Sequence, residues 1–229
     1  MDRVTEPQLM TDPEQVEAYA TADFSETNQG YGKQFAARFP DAHRSALALD
    51  LCCGSGDITV RFAQAYSGWT IHGVDGSRPM LERAERHGVR AGVGARLRWI
   101  EATLPTPALT PRAYDVVLST GALHHFHDPA VFWSAVRASA RIGGTVFVTD
   151  FFRPGTEEEA ELLVRRYAGD APEVLRRDYR NSLRAAFTPD EIRLQVLAHG
   201  MGDLVVEVIS DRHVVVAGRA AASPRARGD

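Results

Sequence analysis

Three observations predict an α/β fold with a mostly parallel sheet, helices on both faces and an antiparallel hairpin at the end. Short apolar runs alternate with helical stretches from Ala46 onward, the first of these runs ends in a glycine turn, and two β-rich runs close the chain. At 229 residues the chain supports one such domain with a substantial core, and is too short for two large ones.

The elements follow in order. Residues 1–40 read as an N-terminal helical cap: Asp12, Pro13 and Gln15 sit at N-cap, N1 and N3 positions, and Gly30 and Gly32 are expected to interrupt before "KQFAARF". The main domain then spans 41–218. Its buried strands are "ALALDLCC", "TIHGVD", "LRWIEA", "YDVVLST" and "TVFVTDFF", continuous apolar runs of the kind a sheet covered on both faces requires. Ser77 is placed to cap a helix carrying Met80, Leu81 and Ala84, and Asp128 with Pro129 starts another with Val131, Ala135 and Val136 on one face. Capping boxes at Thr156 and Thr188 open two later helices, within and just after a helical, substrate-facing insert at about 153–187. The runs "DLVVEVI" and "HVVVAGR" form the hairpin, and residues 219–229, small and polar, form a mobile tail.

Composition removes several functions. The formal charge is −4, with no long single-sign block, so neither nucleic acid nor an anionic membrane is an expected partner, and a small molecule fits better. Lys33 is the only lysine and is followed by Gln34, which excludes a Walker loop and makes a Schiff-base enzyme improbable. Cys52 and Cys53 are adjacent and cannot form an ordinary bridge, and no leader or spanning run is evident, so a reducing cytoplasm is expected. On a buried strand both cysteines read as small packing residues.

The most informative stretch is "LDLCCGSGD", a buried strand that ends at Gly54-Ser55-Gly56 and opens a helix. Glycines let a ligand approach the backbone, and the free amides of a helix start favour electronegative groups. Asp75 ends the next strand about twenty residues on, where a doubly wound sheet places the acid that accepts ribose hydroxyls. A nucleoside-containing ligand follows. A dinucleotide is disfavoured, because Thr59 stands where the third glycine would be and no Tyr-x-x-x-Lys pair exists for hydride transfer.

The segment resembles motif I of the class I S-adenosylmethionine (SAM) dependent methyltransferases, with Asp50, Cys52, Gly54 and Gly56 in the motif positions and cysteine replacing one glycine. "HGVDGSRPML", "YDVVLSTGALHHFHDP" and "RIGGTVFVTDFF" are similar to later family motifs, so the resemblance runs from about Ala46 to Phe152. Motif I is especially similar to that of ubiquinone and menaquinone methyltransferases. The resemblance implies a Rossmann-like, seven-stranded fold, SAM as cofactor and S-adenosylhomocysteine (SAH) as product. It assigns cofactor contacts to Asp50, Cys52, Gly54, Ser55, Gly56, Asp75, Gly76, Met80, Ser119 and Thr120. Ala102 and Thr103 stand where many members carry Gly-Asp for the adenine, so a hydroxyl or backbone contact, or an inward Glu101, must substitute.

The three histidines of "HHFHDP" remain. Neighbours on a strand leave in different directions, so no metal site is expected; His127 reads as solvated, and His124 or His125 as facing the substrate, as general base or as packing. Tyr19, Phe24, Tyr31, Arg153, Tyr179 and Arg180 are the expected acceptor contacts, and Arg153, Arg180 or Arg212 could hold an anionic group. The expected reaction is methyl transfer by in-line displacement to a small metabolite, acidic or biosynthetic in character. A catalytically silent SAM-binding module and, further off, an RNA-modifying enzyme are the alternatives, and homodimerisation is left open.

Overall fold

The computed structural model describes residues 1–7, 9–22, 24–42 and 44–221. Seven strands form one sheet: β1 (Ser45–Leu51), β2 (Gly68–Asp75), β3 (Leu97–Glu101), β4 (Tyr114–Thr120), β5 (Ala140–Phe151), β6 (Val205–Val208) and β7 (His213–Arg219). Their order is β3-β2-β1-β4-β5-β7-β6, with β7 antiparallel to β5 and β6 antiparallel to β7. Strand order reverses between β1 and β4, and a doubly wound sheet opens its ligand crevice at such a point.

Because side chains alternate across a strand, each buried strand feeds two cores. Leu49, Leu51 and Val117 face Phe132, Trp133 and Val136 of helix α5 (Pro129–Ser139) and Ile192 and Val196 of α8 (Pro189–Ala198). Ala48, Val116, Leu118 and Phe147 face Phe35 of α2 (Ser25–Arg38) and Val60 and Phe62 of α3 (Asp57–Ala65). The Phe35 ring stands edge-on to Phe62, Tyr66, Trp69 and Phe147, with centroids 5.1, 5.7, 5.8 and 5.4 Å away. No helix among the described residues is long and apolar enough to cross a membrane.

Several expectations hold at atomic detail. Asp12 caps α1 (Pro13–Thr21) by accepting from the Gln15 amide at 2.9 Å, Asp128 caps α5 through Ala130, and Thr156 and Thr188 both close capping boxes. The insert is a helix pair, α6 (Glu157–Ala168) and α7 (Glu173–Ala185).

Others need correction. Helix α2 runs unbroken through Gly30 and Gly32, because Tyr31 and Phe35 are buried from it and their packing outweighs the roughly 1 kcal/mol that each interior glycine costs. Residues 1–7 and 9–12 are not helical; they belong to a strap whose Arg3 donates to the carbonyls of Ala185, His124 and Phe126. Ser77 does not cap α4 (Arg78–Arg90), since its hydroxyl donates instead to the strap carbonyl of Met10 at 2.7 Å. Strand β5 starts five residues before "TVFVTDFF", and the chain stays paired beyond Arg219, where Ala220 exchanges hydrogen bonds with Gly143 and Gly144. The rest of the expected tail, from residue 222, lies outside the described residues.

Phe35→Ala removes the hub of one core. It is expected to cost about 3–5 kcal/mol and to lower the thermal midpoint by roughly 6–20 °C, read by calorimetry.

Candidate cofactor and acceptor site

At the reversal point the ends of β1, β2 and β4 border a cavity of about 920 Å³, at the large end of the range for small-molecule sites. The turn after β1 is left-handed three times, at Cys52 (φ 58°), Gly54 (φ 52°) and Gly56 (φ 77°). The two glycines serve different sides. A Cβ on Gly54 would project into open space, so its bare backbone faces the cavity, whereas a Cβ on Gly56 would come within 2.7 Å of Ala84 and 2.8 Å of Trp99. Gly56 therefore seats α3 against its neighbours and does not line the cavity.

Asp75 fastens this turn to β2. One carboxylate oxygen accepts from the Gly54 amide at 2.8 Å and the other from Ser77 at 2.8 Å. Burial pushes the carboxyl up, against the pull of the Ser77, Gly54 and Gly76 amides. A carboxylate has about four acceptor positions, more than these amides occupy, and the residue lines the cavity.

Most of the cofactor positions come together here: Cys52, Gly54, Ser55, Asp75, Gly76, Met80, Ala102, Thr103 and Thr120 all line the cavity. Three do not. Asp50 is buried beneath the turn, accepts from the Thr59 hydroxyl at 2.6 Å, and is pushed up to about 7 by burial. Thr59, the residue that breaks the dinucleotide pattern, thus ties the first turn of α3 to β1. Ser119 donates to the Leu51 carbonyl at 2.7 Å and locks β4 to β1. Gly56 is the third. Glu101 does not turn inward either: it is exposed and pairs with Arg78. Burial pushes both cysteine thiols up, so they remain protonated packing groups.

The histidines sit on a 3-10 turn (Leu123–His125) after β4, with ring centroids 4.2 Å apart. They converge, contrary to the directional expectation. His124 is buried between two acids, Nδ1 2.6 Å from Asp150 and Nε2 3.3 Å from Glu6. Burial opposes its charge, but the carboxylates of Asp150 and Glu6 outweigh that and raise it to about 10. Burial and the charge of His124 lower His125 to about 4, so that ring is neutral, with Nδ1 3.1 Å from Glu6. Glu6, His124 and His125 each offer an atom within 4.8 Å of the others. With both nitrogens of His124 donating protons to carboxylates, however, that ring has no lone pair for a cation. Neither Glu6 nor Asp150 was legible as a site residue. Asp150 had a signal, a charge inside an apolar strand; Glu6 had none.

Among the acceptor residues, Tyr19, Phe24, Tyr31 and Tyr179 line the cavity, with Tyr19 and Phe24 paired at 4.9 Å. Arg153 and Arg180 do not. Arg153 is buried on the carbonyls of Met1 and Ala186 and on Glu191, holding the strap to α8, and Arg180 pairs with Glu161 between α6 and α7. Arg212 does line it.

Comparison with known proteins finds relatives of the same fold. Residues 48–144 match the family model described as "Methyltransferase domain". A ubiquinone biosynthesis O-methyltransferase of Methylococcus capsulatus is 34% identical over 119 residues, 51% of this chain and 49% of that protein. A 2-phytyl-1,4-naphtoquinone methyltransferase of Nostoc punctiforme is 27% identical over 128 residues, 55% of each. Among solved structures, a SAM-dependent methyltransferase from Aquifex aeolicus superposes with TM-score 0.66 at 12% identity, over 93% of this chain and all of that one. Phosphoethanolamine N-methyltransferase 2 of Haemonchus contortus, in complex with SAM, gives TM-score 0.61 at 21% identity, over 80% of this chain and 38% of that one. The strand order and the crevice at its reversal point define a doubly wound domain. More particularly, residues 48–144 are similar to methyltransferase domains, and the fold is that of solved SAM-dependent methyltransferases. The chain spans about half the length of the curated relatives it matches.

The raised His124 makes stability depend on pH. Its ordinary pKa is 6.5 and its folded value about 10, so the stability it contributes is complete below pH 6.5 and is lost as pH rises through 10. Thermal melts of the wild type should fall across that window, and His124→Gln should flatten the decline while lowering the midpoint at neutral pH.

Proposed function

We propose that the protein transfers the methyl group of SAM to a small-molecule acceptor held beside the 3-10 turn. The observation that carries this reading is Asp75, a carboxylate fixed by Gly54 and Ser77 in the wall of the cavity. When bound, SAM supplies an electrophilic methyl on sulfur for in-line displacement, with the C–S electrons returning to sulfur as SAH forms.

The chain's own residues align and dry the site. Asp75 would take the ribose hydroxyls, Met80, Ala102 and Thr103 border the adenine end, and Gly54 and Ser55 meet the remainder as bare backbone and hydroxyl. Tyr19, Phe24 and Tyr31 supply aromatic surface for the acceptor and exclude water. His124, held charged, positions and does not accept protons near neutrality. The acceptor's proton, where the nucleophile has one, goes to the neutral ring of His125, which lines the cavity beside Glu6. The quinone-related relatives suggest a ring-bearing acceptor, and the aromatic walls suit one.

Calorimetric titration with SAH tests the reading. Micromolar binding is expected for the wild type, weakened at least about tenfold in Asp75→Ala, consistent with loss of charge-assisted hydrogen bonds. A wild type that binds neither SAM nor SAH would overturn it. In turnover assays with an accepted substrate, His125→Asn is expected to lower kcat about 10²-fold or more with KM little changed; an unchanged kcat would remove His125 from the proton path.

A further inference from the structure

Beyond the glycine turn, the cavity continues toward β7. That strand lies three strand positions from β1, roughly 14 Å at ordinary strand spacing. Phe151, at the end of β5, is the hub of this half: its ring centroid lies 5.6 Å from His124, 5.3 Å from Tyr179 and 5.1 Å from His213, and Tyr31 stands 5.6 Å from His213. Arg212 lays its guanidinium 3.1 Å from the centre of the Tyr167 ring. All six side chains named here other than His124 belong to residues that line the cavity together with it.

Three polar atoms in this region are closed to solvent and have no hydrogen-bond partner among the described residues: Tyr179 Oη, Arg212 Nη1 and His213 Nε2. Each is a donor, for separate reasons. Arg212 has only donors, and the acid beside it in the chain is already occupied, since Asp211 accepts from the Tyr167 hydroxyl at 2.9 and 2.8 Å and pairs with Arg166 at 3.2 Å. Burial pushes the Tyr179 phenol up, so it keeps its proton. For His213, burial and the nearby Arg212 charge lower the ring to about 4, so it is neutral. Its tautomer follows from Ser210: the Ser210 oxygen accepts the amides of His213 (3.0 Å) and Arg212 (3.3 Å), so its own proton points at His213 Nδ1, 3.2 Å away, which leaves the ring proton on Nε2. Three dry donors with no acceptor among them are unsatisfied as they stand, and an anionic oxygen group satisfies them together.

We propose that Arg212, Tyr179 and His213 form an oxyanion subsite in the acceptor half of the cavity, so that the molecule methylated carries a carboxylate or phosphate. This rests on the methyl-transfer reading for its role, though not for its existence. Phe151 and Tyr31 border the subsite, which favours a flat, ring-bearing acid whose nucleophile lies toward the 3-10 turn. The arginines that hold anions cannot be Arg153 or Arg180, because both are spent on carbonyls or carboxylates of the fold itself.

The test is titration of the full chain, alone and saturated with SAH, with three ring probes: benzoate, benzamide and phenyl phosphate. Benzoate or phenyl phosphate should bind about 10- to 100-fold more tightly than neutral benzamide, the size of one or two charge-assisted hydrogen bonds, and the tighter of the two identifies the anion. Arg212→Gln should remove that preference and Tyr179→Phe should reduce it, while Arg212→Lys restores part of it; SAH affinity should stay within about twofold in all three, against the same reference energies. Equal binding of benzamide and both anions overturns the proposal. So does an Arg212→Gln variant that loses SAH affinity by the factor it loses anion affinity, since Arg212 would then hold the cofactor's own carboxylate. If the wild type fails to bind SAH but keeps the anion preference in the cofactor-free arm, the methyl-transfer reading falls and the subsite stands.

Discussion

Everything at the ligand-binding end of this molecule depends on one carboxylate. Asp75 closes the gap between β1 and β2 by accepting from Gly54 and Ser77, and those two amides belong to the turns that open α3 and α4. Without it, two backbone amides beside the crevice would face no acceptor, a situation proteins rarely tolerate when water is excluded. Its structural role is compatible with the proposed ligand role because a carboxylate has about four acceptor positions and the turn amides do not fill them. The same economy appears below the turn, where Thr59 and Asp50 pin the helix start to the strand, and beside it, where Ser119 pins β4.

The second constraint is electrostatic. Glu6, His124 and Asp150 bury two acids and one base in a continuous chain, with Asp150 also accepting the amides of His124 and Phe151. A buried ion pair is weak evidence for net stability, yet removing one member leaves a stranded charge and is strongly unfavourable. The arrangement therefore fixes geometry: it sets the 3-10 turn, and with it the direction of His125, relative to β5. It also explains why two chemically identical neighbours in the sequence differ so far, His124 held charged and His125 held neutral, since the first faces two carboxylates and the second faces the first.

The sheet was legible in the sequence because its central strands are apolar runs, although β3, which carries Arg98 and Glu101, is an edge strand with no buried residue; the glycine turn with Asp75 was legible because its spacing and residue types mark the crevice of a doubly wound sheet. What escaped had no local signal. The sequence before α1 is aperiodic, and the contacts of its Arg3 to Ala185 and Phe126 cross more than a hundred residues of chain. Helix α2 looked broken at Gly30 and Gly32 because propensity is local, whereas the burial of Tyr31 and Phe35 is tertiary. Arg153 read as a surface or substrate arginine, since nothing in the sequence states which carbonyls will surround a guanidinium. The two glycines of the motif look equivalent as letters; only packing separates Gly54, open to the cavity, from Gly56, pressed on Ala84 and Trp99.

The match to the methyltransferase model ends at residue 144, before Asp150, before the α6–α7 pair and before the β6–β7 hairpin. The cavity does not end there. Under the proposed reading, its cofactor half is assembled from β1 to β4, whereas much of its acceptor half is assembled from α1, α2, α7 and the start of β7, stretches that flank the shared block on both sides. Labour is thus divided along the chain as well as in space. Under that reading, substitutions in the flanks would retune which molecule is accepted without disturbing the turn that meets the donor, so the outer segments form the changeable face of an otherwise fixed machine.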